Sequence, residues 1–341
     1  MIYVIIATVK LLYCIANDLK MVLWTEKYKP KSIEDYIGND DIKRIVLELD
    51  INMPHILAIG PRGCGKKTLM KLLAKKILGG EYSNNFLYVD LSRFPSNIWF
   101  KSKSDWSYNE QNVAERNNVV SVKDFAFSLP INAPFKIVMI DEVQKLDFLS
   151  QQALRVIIEK SSAMTRFILI GTSIGNIIDP IISRTAMLRF KALSFEEFKR
   201  ILEKVLKAEK VNYDNKIIPF LFTKLNANVF RAITILNSLD DYTLESVKKA
   251  LEEKVNMRIL FYHIEKKDFV KIRDSIRYLF FNLNLTSEEI ILEALNYVES
   301  SNYDVNKKIE LIKRISEYEP KVYKAYEPYI ELENLFINLV N

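Results

Sequence analysis

The stretch Gly60-Pro61-Arg62-Gly63-Cys64-Gly65-Lys66-Lys67-Thr68 leaves few folds open to this chain. It follows "HILAIG" (residues 55–60), an apolar run bounded by Pro54 that reads as a buried strand. After it, Leu69, Leu72, Leu73 and Ile77 recur at helical spacing until Gly79-Gly80 stop the helix. Strand, glycine turn and helix are the setting of a phosphate-binding P-loop, G-x-x-x-x-G-K-[ST]. There, N–H groups of the turn and of the helix N-terminus face phosphate oxygens. Lys66 would reach the outer phosphates, and a side chain at Gly65 would block close backbone approach. Gly60, Gly63, Cys64, Gly65, Lys66, Lys67 and Thr68 are therefore candidate ligands of a nucleotide. The match is one residue short. Lys67 stands where a hydroxyl normally ligates Mg2+, and an ammonium cannot do so. It could partly replace the cation electrostatically, permitting binding while weakening hydrolysis. Thr68 would point about 100° further round the helix.

Further buried-strand runs lie at 86–90, 135–141, 166–171 and 186–190, with helical segments between several of them. This alternation predicts an α/β fold with a mostly parallel sheet and helices on both faces. The run "IVMIDEV" ends in Asp141-Glu142. Alone, this would read as two exposed acids after a strand. Downstream of a P-loop, Asp141 becomes the candidate that holds Mg2+ through water, and Glu142 the catalytic candidate that polarises an attacking water. Residues 92–118 break the rhythm and read as an insertion, with a hairpin around 98–100. After Phe190 the pattern is helical to the end. Ser194 and Glu197 form a capping box, two short helices follow in 217–239, and five longer ones run from about 244 to 339. Thr286 with Glu289 gives a second capping box.

The formal charge of +6, from 49 basic and 43 acidic side chains, allows a nucleic-acid face without requiring one. Two cysteines, Cys14 and Cys64, and two histidines, His55 and His263, supply neither a disulfide framework nor a zinc set. A reducing, intracellular setting is expected. Residues 1–20 open with about fifteen apolar residues interrupted by Lys10, short of the roughly 20 apolar residues of a membrane span, and no basic residues precede the apolar run. They are expected to lie outside the working fold, with no membrane anchor.

Several ordered motifs resemble those of the clamp-loader branch of the AAA+ ATPases, the small subunits of replication factor C. "LWTEKYKPKSIEDYIGN" (23–39) resembles the family's opening box, which lies against the adenine; this implies nucleotide roles for Tyr28 and Pro30. "SQQALRVIIEK" (150–160) and "IIDPIISRT" (177–185) resemble two further family boxes. The second places Arg184 at the arginine finger, which acts in trans on a neighbour's nucleotide; Arg155 could serve the same interface. The sensor asparagine is replaced by Thr172 and the second-sensor arginine by Phe230, while Arg231 is adjacent on another helix face and counts as a nucleotide candidate. The G-K-K-T loop is similar to that of the family's ATPase-impaired small subunit.

The resemblance implies an AAA+ domain over 21–192, a helical lid over 193–252 and a helical collar over 253–341. It implies ATP or ADP with Mg2+, other loader subunits in a hetero-pentamer, a sliding clamp, and primer–template DNA held through phosphates, with Arg116 and Lys123 as DNA candidates. It also implies a soluble protein in the nucleus, the cytoplasm or a viral factory. A self-sufficient ATPase and a nucleotide-free scaffold are the competing readings.

Overall fold

The computed structural model describes residues 23–91, 99–105, 120–239, 241–254, 257–279, 285, 287–324 and 328–339. Five strands, β1 (Ile56–Ile59), β2 (Phe86–Asp90), β3 (Lys136–Asp141), β4 (Thr165–Gly171) and β5 (Ala186–Arg189), form one sheet in the order β2-β3-β4-β1-β5. Every neighbouring pair is parallel, with Leu57 beside Leu169, Val138 beside Phe167 and Ile59 beside Gly171.

The strands are apolar at nearly every position because both faces are covered. Alternation sorts their side chains. Leu57, Val138, Ile140, Phe167 and Leu169 pack on one face against Leu154, Ile157 and Ile158 of the helix Phe148–Ser161. Ile56, Ala58, Ile137, Met139, Ile168 and Ile170 pack on the other against Leu69, Met70 and Leu73 of the helix Lys66–Leu78. The parallel α/β expectation is met. The crossovers bring the C-terminal ends of β1, β3 and β4 together, the place where such sheets bind ligands.

Trp99 and Phe100 are helical and buried against the first of these faces, so no hairpin turns there. Two large aromatic side chains bury more area by docking on the sheet than a solvent-facing hairpin would allow.

Four helices, Phe195–Ala208, Ile217–Lys224, Val229–Asn237 and Leu244–Lys254, share a core around Phe198, Leu202, Leu221 and Leu236. Ser194 and Glu197 form the expected capping box. Trp24 and Tyr28 of the opening segment join this core: the Trp24 ring stacks on Tyr242 at 6.3 Å, and the Tyr28 hydroxyl donates to Glu209 Oε1 at 2.7 Å. The helices Met257–Glu265, Phe269–Arg277, Ser287–Ser300, Val305–Lys324 and Pro328–Asn338 enclose a separate core around Phe261, Ile276, Ile290, Ile315 and Phe336.

From Leu244 onward there are thus six helices among the described residues, against five expected. The break at 266–268 carries no glycine or proline: Lys267 takes a φ of 55° and Asp268 caps the next helix by accepting from Lys271 N–H. Thr286, residues 1–20 and most of the 92–118 segment lie outside the described residues. Among the described residues no helix is long and apolar enough to cross a membrane.

Candidate nucleotide site

The turn between β1 and the helix Lys66–Leu78 is held from both sides. Gly63 and Gly65 have φ of 80° and 87°, a region that favours glycine. A β-carbon on Gly65 would lie 2.6 Å from the Tyr36 hydroxyl, and one on Gly63 would lie 2.4 Å from Asn228 Oδ1. Tyr36 donates to the Cys64 carbonyl at 2.9 Å, and burial pushes its phenol pKa up, which keeps it a donor. Asn228 caps the helix Val229–Asn237 by accepting from Arg231 N–H at 3.2 Å. Gly60 serves packing: a β-carbon there would meet the Phe190 carbonyl at 2.4 Å.

Lys66 is 7% exposed and donates to the carbonyls of Gly60 and Pro61, each at 2.6 Å. Burial lowers its pKa, and the two carbonyls satisfy the ammonium. The Cys64 thiol, with its pKa pushed up by burial, donates to the Pro61 carbonyl at 3.0 Å. It is a packing group rather than a nucleophile.

Beside the turn opens a cleft of about 700 Å³, a size suited to a nucleotide. Tyr28, Pro30, Gly63, Cys64, Gly65, Lys66, Lys67, Thr68, Asp141 and Glu142 all line it, as do Thr172 and Phe230 at the two sensor positions.

At its acidic end, Lys67 Nζ lies 2.5 Å from Asp141 Oδ2. Tyr88 donates to the same oxygen at 3.0 Å, and Asp141 Oδ1 accepts from the Glu142 N–H at 3.1 Å. Glu142 takes a left-handed φ of 58°, a strained backbone of the kind found at functional sites. Its Oε2 accepts from Gln144 Nε2 at 2.6 Å and pairs with Arg62 at 3.5 Å. The other end of Gln144 accepts from Thr172 N–H at 3.2 Å, tying β3's acidic end to β4.

Other candidates fall elsewhere. Arg231 does not border the cleft. Phe230 takes that helix face, and Arg231 pairs at 3.9 Å with Glu289 of the C-terminal helices, which does border it. Arg184 also lies outside the cleft, 35% exposed, donating to the Pro180 carbonyl at 2.9 Å and pairing with Glu159 at 3.5 Å. Arg155 pairs with the same Glu159 oxygen at 3.4 Å, so one surface carries both arginines. Lys123 is remote from the cleft and pairs with Asp105 at 3.7 Å; Arg116 lies outside the described residues.

Sequence reasoning missed Tyr36, Tyr88, Gln144, Asn228 and Glu289. Asn228 carried a local signal, an Asn immediately before a helical pattern, and Tyr36 lies inside the opening box at 23–39.

The two groups expected here fare differently. Glycines at positive φ, space a β-carbon would fill and a buried lysine at the start of a thirteen-residue helix fit a nucleoside phosphate. They do not fit a Mg2+ ion. The P-loop hydroxyl is absent, and the carboxylate that would orient the ion's waters is paired with the ammonium in the hydroxyl's place.

The AAA domain family model matches residues 52–199. The replication factor C small subunit of Sulfurisphaera tokodaii is 32% identical over 330 residues, covering 93% of this chain and 95% of that protein. That of Saccharolobus solfataricus is 29% identical over 336 residues, covering 95% and 96%. Among solved structures, a variant of Thermotoga maritima RuvB is 14% identical and covers 89% of this chain and 90% of that one, with a TM-score of 0.47.

Proposed function

The chain belongs to the family of replication factor C small subunits, and we propose that it works as one subunit of a sliding-clamp loader, a hetero-pentamer that opens a ring-shaped clamp and sets it on primer–template DNA. The observation that carries this reading is the division of its chemistry between two surfaces. The cleft keeps the glycine cradle, Lys66 and the Asp141-Glu142 pair, yet places Lys67, Thr172 and Phe230 where metal and γ-phosphate are usually handled. Arg184 stands outside that cleft and in reach of solvent.

Such a subunit holds ATP or ADP mainly to keep its shape and lends Arg184 to a neighbour. There, a guanidinium stabilises charge on the transferring phosphoryl group. Its own hydrolysis is weak: Glu142, the group that would polarise a water, is engaged by Arg62 and Gln144. Tyr28 and Pro30 border the side of the cleft that takes the base. Residues 21–192 act as the nucleotide-binding unit, 193–252 as a lid and 253–341 as a collar. Exposed Tyr262, Phe269, Val270, Leu292 and Val305 supply the collar with apolar surface for neighbouring subunits. DNA is held through phosphates without sequence preference, with Lys123 and Arg116 contributing. This work is done inside the cell, away from membranes.

The test is ATP turnover by the complex containing this chain, with clamp and primed DNA, comparing wild type, Lys66→Ala and Arg184→Ala. The expected result is a large loss for Arg184→Ala, on the order of 10³-fold at the one dependent site, and a small loss for Lys66→Ala. A dominant loss at Lys66→Ala identifies a self-sufficient ATPase instead. Indifference to both changes removes the loader assignment.

A further inference from the structure

We infer that the cleft takes its nucleoside phosphate as the metal-free anion, the Lys67 ammonium neutralising the outer phosphates in place of a divalent cation. The inference rests on the nucleotide-binding reading above and goes further, to the form of the ligand.

Three observations carry it. First, both oxygens of Asp141 are engaged, although the side chain is only 8% exposed. Oδ2 receives Lys67 at 2.5 Å and the Tyr88 hydroxyl at 3.0 Å, and Oδ1 receives the Glu142 N–H at 3.1 Å. Mg2+ needs a near-octahedral oxygen shell at about 2.0–2.1 Å, and it would have to share this carboxylate with a cation already seated on it. The two like charges would repel strongly at such a separation.

Second, Lys67 is positioned rather than loose. Its Nζ lies 5.3 Å from the centre of the Tyr88 ring, and Lys71, one helical turn on, lies 4.1 Å from the same ring. The Tyr88 phenol therefore fixes both the carboxylate and the ammonium.

Third, Lys67 lines the cleft and stays 46% exposed despite the ion pair. An ammonium has three donors, and Asp141 uses one. The others can meet phosphate oxygens beside Lys66 and the N–H groups of the helix N-terminus. Thr68 also lines the cleft, but its hydroxyl could help hold a metal only with a carboxylate to complete the set, and Asp141 is taken.

The experiment is calorimetric titration of the full chain with ADP and with ATP, in Mg2+ buffer and in EDTA. The expected result is an affinity that rises several-fold or more when the metal is removed, more for ATP than for ADP, because Mg2+ otherwise competes with the site for the anion. Lys67→Thr restores the hydroxyl and frees Asp141; it should bind tenfold or more weakly in EDTA and recover in Mg2+. A wild-type affinity that stays the same or falls in EDTA overturns the inference and leaves the nucleotide site standing. Absence of binding in both buffers removes the nucleotide reading and this inference with it.

A second measurement needs no variant. Adding the wild-type chain to Mn2+–ADP should raise the electron paramagnetic resonance signal of free Mn2+, because the site strips metal from the nucleotide it binds. A fall in that signal overturns the proposal.

Discussion

Asn228 lies so close to Gly63 that a β-carbon on the glycine would sit 2.4 Å from its side-chain oxygen. The P-loop therefore touches the cap of the helix Val229–Asn237, and the cleft is closed on that side by a residue whose capping bond fixes the helix start.

Gly63→Ala tests this contact. The added methyl must displace Asn228, and alanine is strained at a φ of 80°. The expected cost is about 1–3 kcal/mol in stability. Nucleotide affinity should fall by more than tenfold, since the turn and the cap must both shift. Urea unfolding and nucleotide titration measure the two. A variant with unchanged affinity would show that the contact does not shape the cleft.

The opening segment Trp24–Lys27 depends on a few named contacts with distant helices. The Trp24 ring stacks on Tyr242 and its backbone N–H donates to Asn237 Oδ1 at 3.4 Å, while Lys27 and Tyr28 both reach Glu209 Oε1 at 2.7 Å. An aromatic pair of this kind contributes about 0.5–1.5 kcal/mol beyond its buried area, so Trp24→Ala should raise local opening on the order of tenfold. Limited trypsin digestion reads this as faster cleavage after Lys27 or Lys31, with the sheet unit still intact. Bound nucleotide should slow the cleavage, because Tyr28 and Pro30 border the cleft.

How far these features could be foreseen depended on their range. The sheet was legible because covering both faces forces continuous apolar runs, and each run found here became a strand. The P-loop was legible because its glycines and Lys66 adjoin in sequence. The partner of Lys67 was not: Asp141 meets it only through the sheet register, and no local pattern shows that an ammonium will seat on a particular carboxylate. Gln144 was invisible for the same reason, since its bond to Thr172 depends on how β3 and β4 are placed. Six helices rather than five follow from Leu244 among the described residues, and at one of the breaks, 266–268, lysine and aspartate make the turn, so composition gives no stop signal there. Arg231 shows the limit of reading by adjacency. One residue along a helix is about 100° of rotation, which gave the cleft to Phe230 and sent Arg231 to Glu289.

His55 makes stability depend on pH in a defined direction. It directly precedes β1, at the end of the strand away from the P-loop, and its Nδ1 accepts from Phe167 N–H at 3.1 Å, which requires that nitrogen to be unprotonated. Burial, with the Arg166 guanidinium nearby, lowers its pKa from the ordinary 6.5 to about 4. Between those values the unfolded chain binds more protons than the folded one. Stability from this group is therefore complete above pH 6.5 and declines as pH falls toward 4. Between pH 7 and pH 5 the loss is about 2 kcal/mol. His55→Gln keeps an acceptor that does not titrate. The stability difference between wild type and variant should move by that amount in the variant's favour at pH 5, as read from urea midpoints. A difference that stays constant with pH would mean that His55 is not held neutral.

Asn85 gives the last prediction. It is fully buried just before β2, where an apolar residue would seem the natural choice. Its amide donates to the carbonyls of Glu81 at 3.1 Å and Ile131 at 2.7 Å, and its oxygen accepts from Ile131 N–H at 2.8 Å. The side chain thus replaces strand pairing for Ile131, which lies in the turn leading to β3. Asn85→Ala would take these partners from the Ile131 N–H and carbonyl and leave a cavity where the side chain was, a loss of about 1–3 kcal/mol for the bonds. Asn85→Leu would add bulk to the same loss. Both variants should be destabilised by about 2–4 kcal/mol, with Asn85→Asp less affected if its carboxylate keeps the Ile131 N–H. Urea unfolding ranks the three. If alanine and leucine equal wild type, the loop before β3 does not depend on this amide, and the entry of the strand that carries Asp141 must be fixed by packing alone.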